Sequence, residues 1–286
     1  MKTINVRLAG GLGNQLFQFF SALSLVKNCE SKIALDLSSL ALYETSKSFE
    51  INFIIDIIGG LNISYRLTFF SKIFSKLRLG RLLDGFTLFR YKFISSKSTI
   101  DSLPEEYYEQ VLMDGYFQHP NLLPARDEIK CLFNKLKERY SYLHSRFPQS
   151  NSEYIAIHIR RGDYVSSKRA SKVFKSIPLS FYYEAIKKFP ESSIFFVFGD
   201  DAEMTSSFSK SFNGIDVSSF GLRLDEEFML MTMASSYIIA NSTFSWWAAY
   251  IGWDELKRVI APRKWFVDEC RNLKNPLLMQ YFEILD

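Results

Sequence analysis

Ile155-Ala156-Ile157-His158-Ile159-Arg160-Arg161-Gly162-Asp163-Tyr164 is an apolar run that ends in two adjacent guanidiniums. Apolar residues without alternation read as a strand covered on both faces, the habit of parallel sheets. Open α/β sheets bind ligands at the C-terminal ends of their strands. Arginine offers a permanent charge there and a planar fork of donors that matches phosphate oxygens. The segment therefore reads as a strand end built to hold a phosphate. Surface salt bridging is the plainer reading of any arginine pair, and the flanking His158 and Asp163 weigh against it.

Outward from that strand, apolar runs alternate with helical periods. Tyr154 to Ile159 is followed by a loop, a helix around Phe181 to Phe189 and the run Ile194-Phe195-Phe196-Val197-Phe198. Gly199-Asp200-Asp201 ends that run, and a helical stretch follows. A helix near Asp225 to Ser235 leads into Tyr237-Ile238-Ile239-Ala240, the polar Asn241-Ser242-Thr243, and an apolar helix from Phe244 through Ile251. Arg258-Val259-Ile260-Ala261-Pro262 closes the series. This alternation predicts an α/β unit around a parallel sheet.

The first half of the chain repeats the theme less cleanly. Ile4-Asn5-Val6-Arg7-Leu8 turns through Gly10-Gly11-Leu12-Gly13 into a helical stretch from Asn14 to about Lys27, and Lys32-Ile33-Ala34-Leu35-Asp36 reads as a second strand. The pattern is irregular between residues 50 and 110 and resumes with Val111-Leu112-Met113. A charged helix from about Arg126 to His144 ends near Pro148-Gln149-Ser150-Asn151-Ser152. That polar stretch is the expected boundary between a domain at 1–150 and one at 151–286.

Composition bounds the class. A chain of 286 residues favours two domains, and 47% hydrophobic with 23% charged residues excludes a disordered tail. Cys29, Cys131 and Cys270 form no metal spacing, and such sparse thiols suit a reducing compartment. No apolar run reaches about 18 residues, and Asn5, Arg7 and the glycines interrupt the N-terminus before any signal-peptide core forms. A cytoplasmic protein is expected. The net charge of +4 is uneven: Ser64 to Ile100 carries eight basic residues and one acid, +7, leaving −3 elsewhere. There Leu67, Phe70, Phe74 and Leu77 recur at helical spacing among Lys72, Lys76 and Arg78. Such a helix lies either on an anionic membrane or, more ordinarily, on a protein core with its lysines solvated. Nothing in the chain implies a nucleic-acid partner.

On one parallel sheet, Arg160, Asp201 and Ser242-Thr243 fall on a common rim. Ser242 and Thr243 stand where a helix N-cap belongs, and free amides at a helix N-terminus attract phosphate. Asp201 either starts a helix or accepts the amide and amine of a guanine ring. Gly11-Leu12-Gly13-Asn14-Gln15-Leu16 has only two glycines of the dinucleotide fingerprint, so it reads as a tight turn or as a close approach to a ligand, with Asn14 capping or bonding a sugar. The chain lacks an Asp-x-Asp after its apolar strands, a His-Glu-x-x-His and a cysteine pair, so no metal is expected.

Three stretches, in this order, resemble the bacterial α-1,2-fucosyltransferases of glycosyltransferase family 11. They are Gly10-Gly11-Leu12-Gly13-Asn14-Gln15-Leu16-Phe17-Gln18, His158-Ile159-Arg160-Arg161-Gly162-Asp163-Tyr164 and Asn241-Ser242-Thr243-Phe244-Ser245-Trp246-Trp247-Ala248-Ala249-Tyr250. Gly115-Tyr116-Phe117-Gln118 and Ala261-Pro262-Arg263-Lys264-Trp265 extend the likeness. The resemblance implies a GT-B type α/β fold, two Rossmann-like domains facing across a cleft, the first on the acceptor side and the second binding a GDP-sugar. It implies metal-independent, inverting transfer from GDP-β-L-fucose to an α-linked product; the leading expectation is transfer to the 2-hydroxyl of a terminal galactose on a lipid-linked surface glycan, with the basic segment letting the protein sit at the inner membrane face. By the same match His158 contacts the nucleotide, Arg160 neutralises the β-phosphate, Asp201 reads guanine, Ser242, Thr243, Phe244 and Ser245 wrap the diphosphate and fucose, and Asn14 approaches the fucose and acceptor.

Physical chemistry agrees with that outline. Departure of GDP builds negative charge that a fixed guanidinium and helix-terminal amides stabilise. The attacking hydroxyl must shed a proton; Asp163 is the nominee, and Asp36 and Asp114 also stand at strand ends. Two other function classes stay open: a nicotinamide-dependent oxidoreductase or epimerase, disfavoured by the missing third glycine, and a non-enzymatic nucleotide-sugar binder. Arg161-Gly162-Asp163 as an adhesion tripeptide and Asn62-Ile63-Ser64 and Asn241-Ser242-Thr243 as glycosylation sites are discounted. Phe244, Trp247 and Ile251 share helical spacing and read as core rather than as a sugar platform.

Overall fold

The computed structural model describes residues 3–26, 31–37, 39–40, 49–58, 62–66, 87–88, 91–95, 110–147, 153–162, 167–168 and 170–286. Its first sheet contains β1 (Thr3–Arg7), β2 (Lys32–Asp36), β3 (Asn62–Arg66), β4 (Thr87–Leu88), β5 (Tyr91–Ser95) and β6 (Gln110–Asp114). Their order is β3-β2-β1-β6-β5-β4, and every pairing is parallel except β4 with β5. Ile4 and Val6 of β1 are wholly buried, as central position in a covered parallel sheet requires. Helix α1 (Leu12–Leu23) follows β1 after a short turn and buries Leu16, Phe17, Phe19 and Phe20.

A charged helix, α2 (Arg126–Arg139), precedes the second sheet. That sheet holds β7 (Tyr154–Ile159), β8 (Ile194–Gly199), β9 (Ile215–Asp216), β10 (Ser236–Ile238), β11 (Val259–Pro262) and β12 (Glu283–Leu285), in the order β12-β11-β10-β7-β8-β9 and parallel throughout. Between the strands run α3 (Leu179–Ile186), α4 (Ala202–Lys210), α5 (Leu224–Thr232) and α6 (Thr243–Gly252). Every residue of β7 is buried. The strand pleat sends Ile155, Ile157 and Ile159 into one cluster with Phe181, Tyr182 and Phe208 of α3 and α4. Tyr154, two places from Ala156 and four from His158, stacks instead on Phe196, ring centroids 4.3 Å apart. Each buried isoleucine contributes about 1.5–3 kcal/mol through removal from water.

Chain contacts divide the molecule into Met1–Leu132 and Phe133–Asp286. The division falls inside α2, upstream of the polar stretch at 148–152, which lies outside the described residues. Side chains explain it. Phe133 packs edge-on against Phe228 of α5, the Tyr140 hydroxyl donates to Asp225, and Tyr142 donates to Glu226 at 2.6 Å. The second half of α2 and the residues that follow it are thereby tied to the second unit. The series of strands also extends one beyond β11, because β12 pairs Ile284 with Ala261.

Candidate active site

The C-terminal ends of β7, β8 and β10 lie on one rim of the second sheet, because the three strands are parallel and in register: Ile159 sits opposite Gly199, and Ile157 opposite both Val197 and Ile238. Arg160 follows β7 and Asp200 follows β8. The Arg160 guanidinium meets Asp200 Oδ2 at 2.8 Å, while Asp200 Oδ1 accepts from the backbone N–H of Arg161 at 2.9 Å and of Gly162 at 3.1 Å. Gly162 permits this close approach: a Cβ there would stand 2.5 Å from Asp200 Oδ2.

The neighbouring acid has a different task. Asp201 is the N-cap of α4, its Oδ1 accepting from Met204 N–H at 3.0 Å, with Glu203 in the first turn. Of the two readings of Asp201, helix initiation is therefore seen directly, and it engages one carboxylate oxygen.

His158 is 4% exposed, and its ring lies 5.5 Å from that of Phe244 on α6. Burial, reinforced by the Arg160 charge and opposed by Asp200, holds its pKa well below the usual imidazole range. The imidazole is thus neutral at physiological pH. Its Nδ1 meets no hydrogen-bond partner among the described protein residues. Above it, Ser242 caps α6, its hydroxyl accepting from Phe244 N–H at 3.3 Å, and the buried Ser245 donates to the Ser242 carbonyl. Thr243 and Phe244 are half-buried at the start of this helix, whose first amides carry the positive end of the helix dipole.

Residues behind the rim are structural. Trp246 and Trp247 are fully buried, with Trp246 stacked on Tyr250 and donating to the Leu277 carbonyl at 2.8 Å. Asn241, the buried head of a discounted glycosylation triplet, donates its amide to the carbonyls of Lys175 and Trp265. Two acids of this rim escaped the sequence reading. One is Asp200, indistinguishable there from Asp201. The other is Glu227 of α5, half-buried, whose pKa is raised to about 7 by burial and by the charge of Asp200. Its only sequence signal is an acidic run that dives into apolar residues.

The first unit carries the remaining candidate. Gly10 has φ +78°, a left-handed turn in which a Cβ would meet Asn14 Nδ2 at 2.4 Å. Asn14, in the first turn of α1, accepts from Gln118 Nε2 at 2.8 Å. Gln15 and Gln18 are buried: Gln15 bonds the Gly10 carbonyl and Glu50 N–H, and Gln18 bonds Ala9 N–H and the Gly115 carbonyl. The glycine-rich motif and the Gly115–Gln118 motif are therefore one hydrogen-bonded structure. Beside it Arg7 lies 2.8 Å from Asp114 and 3.6 Å from Asp36, so both alternative bases share one guanidinium.

Asp163, Lys72, Lys76 and Arg78 lie outside the described residues. Among the described residues no group of three or more His, Cys, Asp or Glu could hold a metal ion, and no helix is long and apolar enough to cross a membrane.

The family model for glycosyl transferase family 11 matches residues 82–275. The O-antigen biosynthesis glycosyltransferase WbnK of Escherichia coli is 29% identical, over 95% of this chain and 97% of that protein. An α-1,2-colitosyltransferase of Escherichia coli is 26% identical, over 96% of this chain and 97% of that protein. Among solved structures, the α-1,6-fucosyltransferase NodZ, known from Bradyrhizobium and soaked with GDP-fucose, aligns with a TM-score of 0.50 at 14% identity, covering 87% of this chain and 92% of NodZ. That likeness concerns the fold, and the fold is of the GT-B type.

Proposed function

This chain belongs to glycosyl transferase family 11, and we propose that within it the protein moves L-fucose from GDP-β-L-fucose to the 2-hydroxyl of a terminal galactose, forming an α-1,2 linkage in a bacterial surface glycan such as an O-antigen. One observation carries the donor half of this reading: a guanidinium, a neutral imidazole and the capped N-terminus of α6 gather on one rim of the second sheet. These are the groups that an anionic diphosphate needs.

In the proposed step the acceptor oxygen bonds to fucose C1 as the bond from C1 to the β-phosphate oxygen breaks, inverting the centre, and GDP leaves with the electron pair. Arg160 and the first amides of α6 stabilise the charge on the leaving phosphate. His158 contacts the nucleotide, Asp201 offers its second oxygen to guanine, and Ser242, Thr243, Phe244 and Ser245 surround the diphosphate and fucose. The first unit takes the acceptor, with Asn14, oriented by Gln118, near the sugar. Asp163 receives the hydroxyl proton. The reaction proceeds without a metal, in the cytoplasm, with the basic segment at 64–100 resting on the anionic inner membrane and the acceptor lipid-linked.

A second donor is favoured by one relative, whose name assigns it colitosyl transfer with the same α-1,2 linkage. Purified protein is to be incubated in EDTA with GDP-fucose, activated colitose, and UDP- and ADP-sugars, plus simple galactosides, and the product linkage read by NMR. An α-1,2-fucosyl galactoside is expected. Colitosyl transfer alone would move the reading to the second donor, and no transfer from any of them would overturn it. Neutralising Lys72, Lys76 and Arg78 should weaken sedimentation with anionic vesicles, and undiminished binding refutes the membrane role.

A further inference from the structure

Asp200 lies inside the donor rim, yet both of its oxygens are engaged by the protein. Oδ2 holds the Arg160 guanidinium at 2.8 Å, and Oδ1 takes the N–H groups of Arg161 and Gly162 at 2.9 and 3.1 Å. One carboxylate thus spans the side chain that follows β7 and the backbone turn that carries it. The register explains why: Gly199 is opposite Ile159, so the next residue of each strand, Asp200 and Arg160, face one another. Gly162 completes the arrangement, since a Cβ at that position would collide with Oδ2 at 2.5 Å and with Cγ at 3.0 Å.

We propose that Asp200 is a positioning residue, which fixes the plane of the Arg160 guanidinium before the donor arrives and does not itself touch the donor. The proposal rests on the reading of Arg160 as the phosphate holder. An arginine side chain loses rotamer freedom when it is fixed, and a fork already held on one edge loses less on binding. Electrostatics alone argues the opposite outcome: a carboxylate beside the phosphate site repels the donor, so its removal should tighten GDP binding. Position and charge therefore predict different kinetics for the same substitution.

The test compares Asp200→Asn, Arg160→Ala and the double variant. The amide keeps an acceptor for the two backbone N–H groups but cannot hold the guanidinium as an anion does. Asp200→Asn should lower kcat by about 10²-fold, the scale of a catalytic group displaced by an ångström, while the Kd for GDP changes little, because lost preorganisation and lost repulsion oppose one another there. Added to Arg160→Ala, it should cost nothing further, because the residue acts through Arg160. Full kcat in Asp200→Asn, or losses that add in the double variant, would overturn the proposal. If Asp200→Asn does not accumulate as folded protein, Gly162→Ala serves instead: it displaces Asp200 with every charge retained and should give the same kcat loss, whereas unchanged kcat counts against the proposal. An active Arg160→Ala enzyme is a separate failure, that of the phosphate reading itself.

Discussion

Arg7 and Arg160 occupy the same place in the two sheets, the C-terminal end of the strand that begins each sheet in the chain. Arg7 is shared by two carboxylates from flanking strands, Asp36 and Asp114, and its side chain is 12% exposed. Arg160 meets Asp200, with a second guanidinium following it, and its side chain is 21% exposed. The first arrangement has more acid than base and ties three strands together. In the second, Arg160 pairs with Asp200, Arg161 follows it and Glu227 stands near Asp200, and an anion from outside is what the proposed function places there. Residue type and topology are the same; under the proposed function, the setting of each guanidinium separates a structural clamp from a ligand site.

The largest effect should come from removing the second arginine. Arg160→Ala is expected to cut transfer by about 10³-fold, the scale of losing a fixed electrostatic stabiliser, with little change in melting temperature. Equal loss of stability would erase the contrast. Arg7→Ala should do the reverse, costing about 1–2 kcal/mol because Asp36, 12% exposed, and the more exposed Asp114 lose their shared cation, while the protein that remains folded keeps its kcat. Urea unfolding beside single-turnover rates reads both halves.

A third test concerns acidity around the second arginine. Glu227, raised to about 7, binds a proton more tightly when folded than the ordinary carboxyl of the unfolded chain does. Stability of the wild type should therefore be highest below about pH 4.5 in this respect and fall as pH rises towards 7. Glu227→Gln removes that fall. Its unfolding free energy should match the wild type near pH 4 and exceed it by about 1–3 kcal/mol at pH 8. A constant difference across this range would mean that the proton is not withheld. The smallest effect belongs to Ser242→Ala, which removes a cap worth about 1 kcal/mol and should also weaken GDP binding severalfold. Titration calorimetry against GDP checks the second part.

Much of this was legible in the chain, and the misses have physical causes. Strands β7, β8 and β11 are announced by unbroken apolar runs, and α6 by the Ser242 that caps it. Strands β9 and β12 are too short and too mixed in polarity to carry a period. Strands β3 to β5 fall in the stretch that reads as irregular, since a strand at or near a sheet edge needs no sustained apolar face. The roles of Asp200 and Asp201 turn on where β8 stops and α4 starts, a one-residue matter that composition does not reveal. Gln15 and Gln18 look like polar interruptions of a helix until their partners, Gly10, Glu50, Ala9 and Gly115, come together from distant parts of the chain. Arg160 stands out in the sequence as a candidate phosphate ligand, whereas its resemblance to Arg7 emerges only once each is seen with its neighbours.

Strand β7 lies between β10 and β8 and is buried along its length. In native-state hydrogen exchange its amides should be among the last of the second unit to exchange, opening only when the unit unfolds as a whole. Arg160 is joined directly to that strand. The lifetime of the proposed donor site is then tied to the lifetime of the folded unit, and partial openings elsewhere, at β9 or β12, should leave the arginine in place.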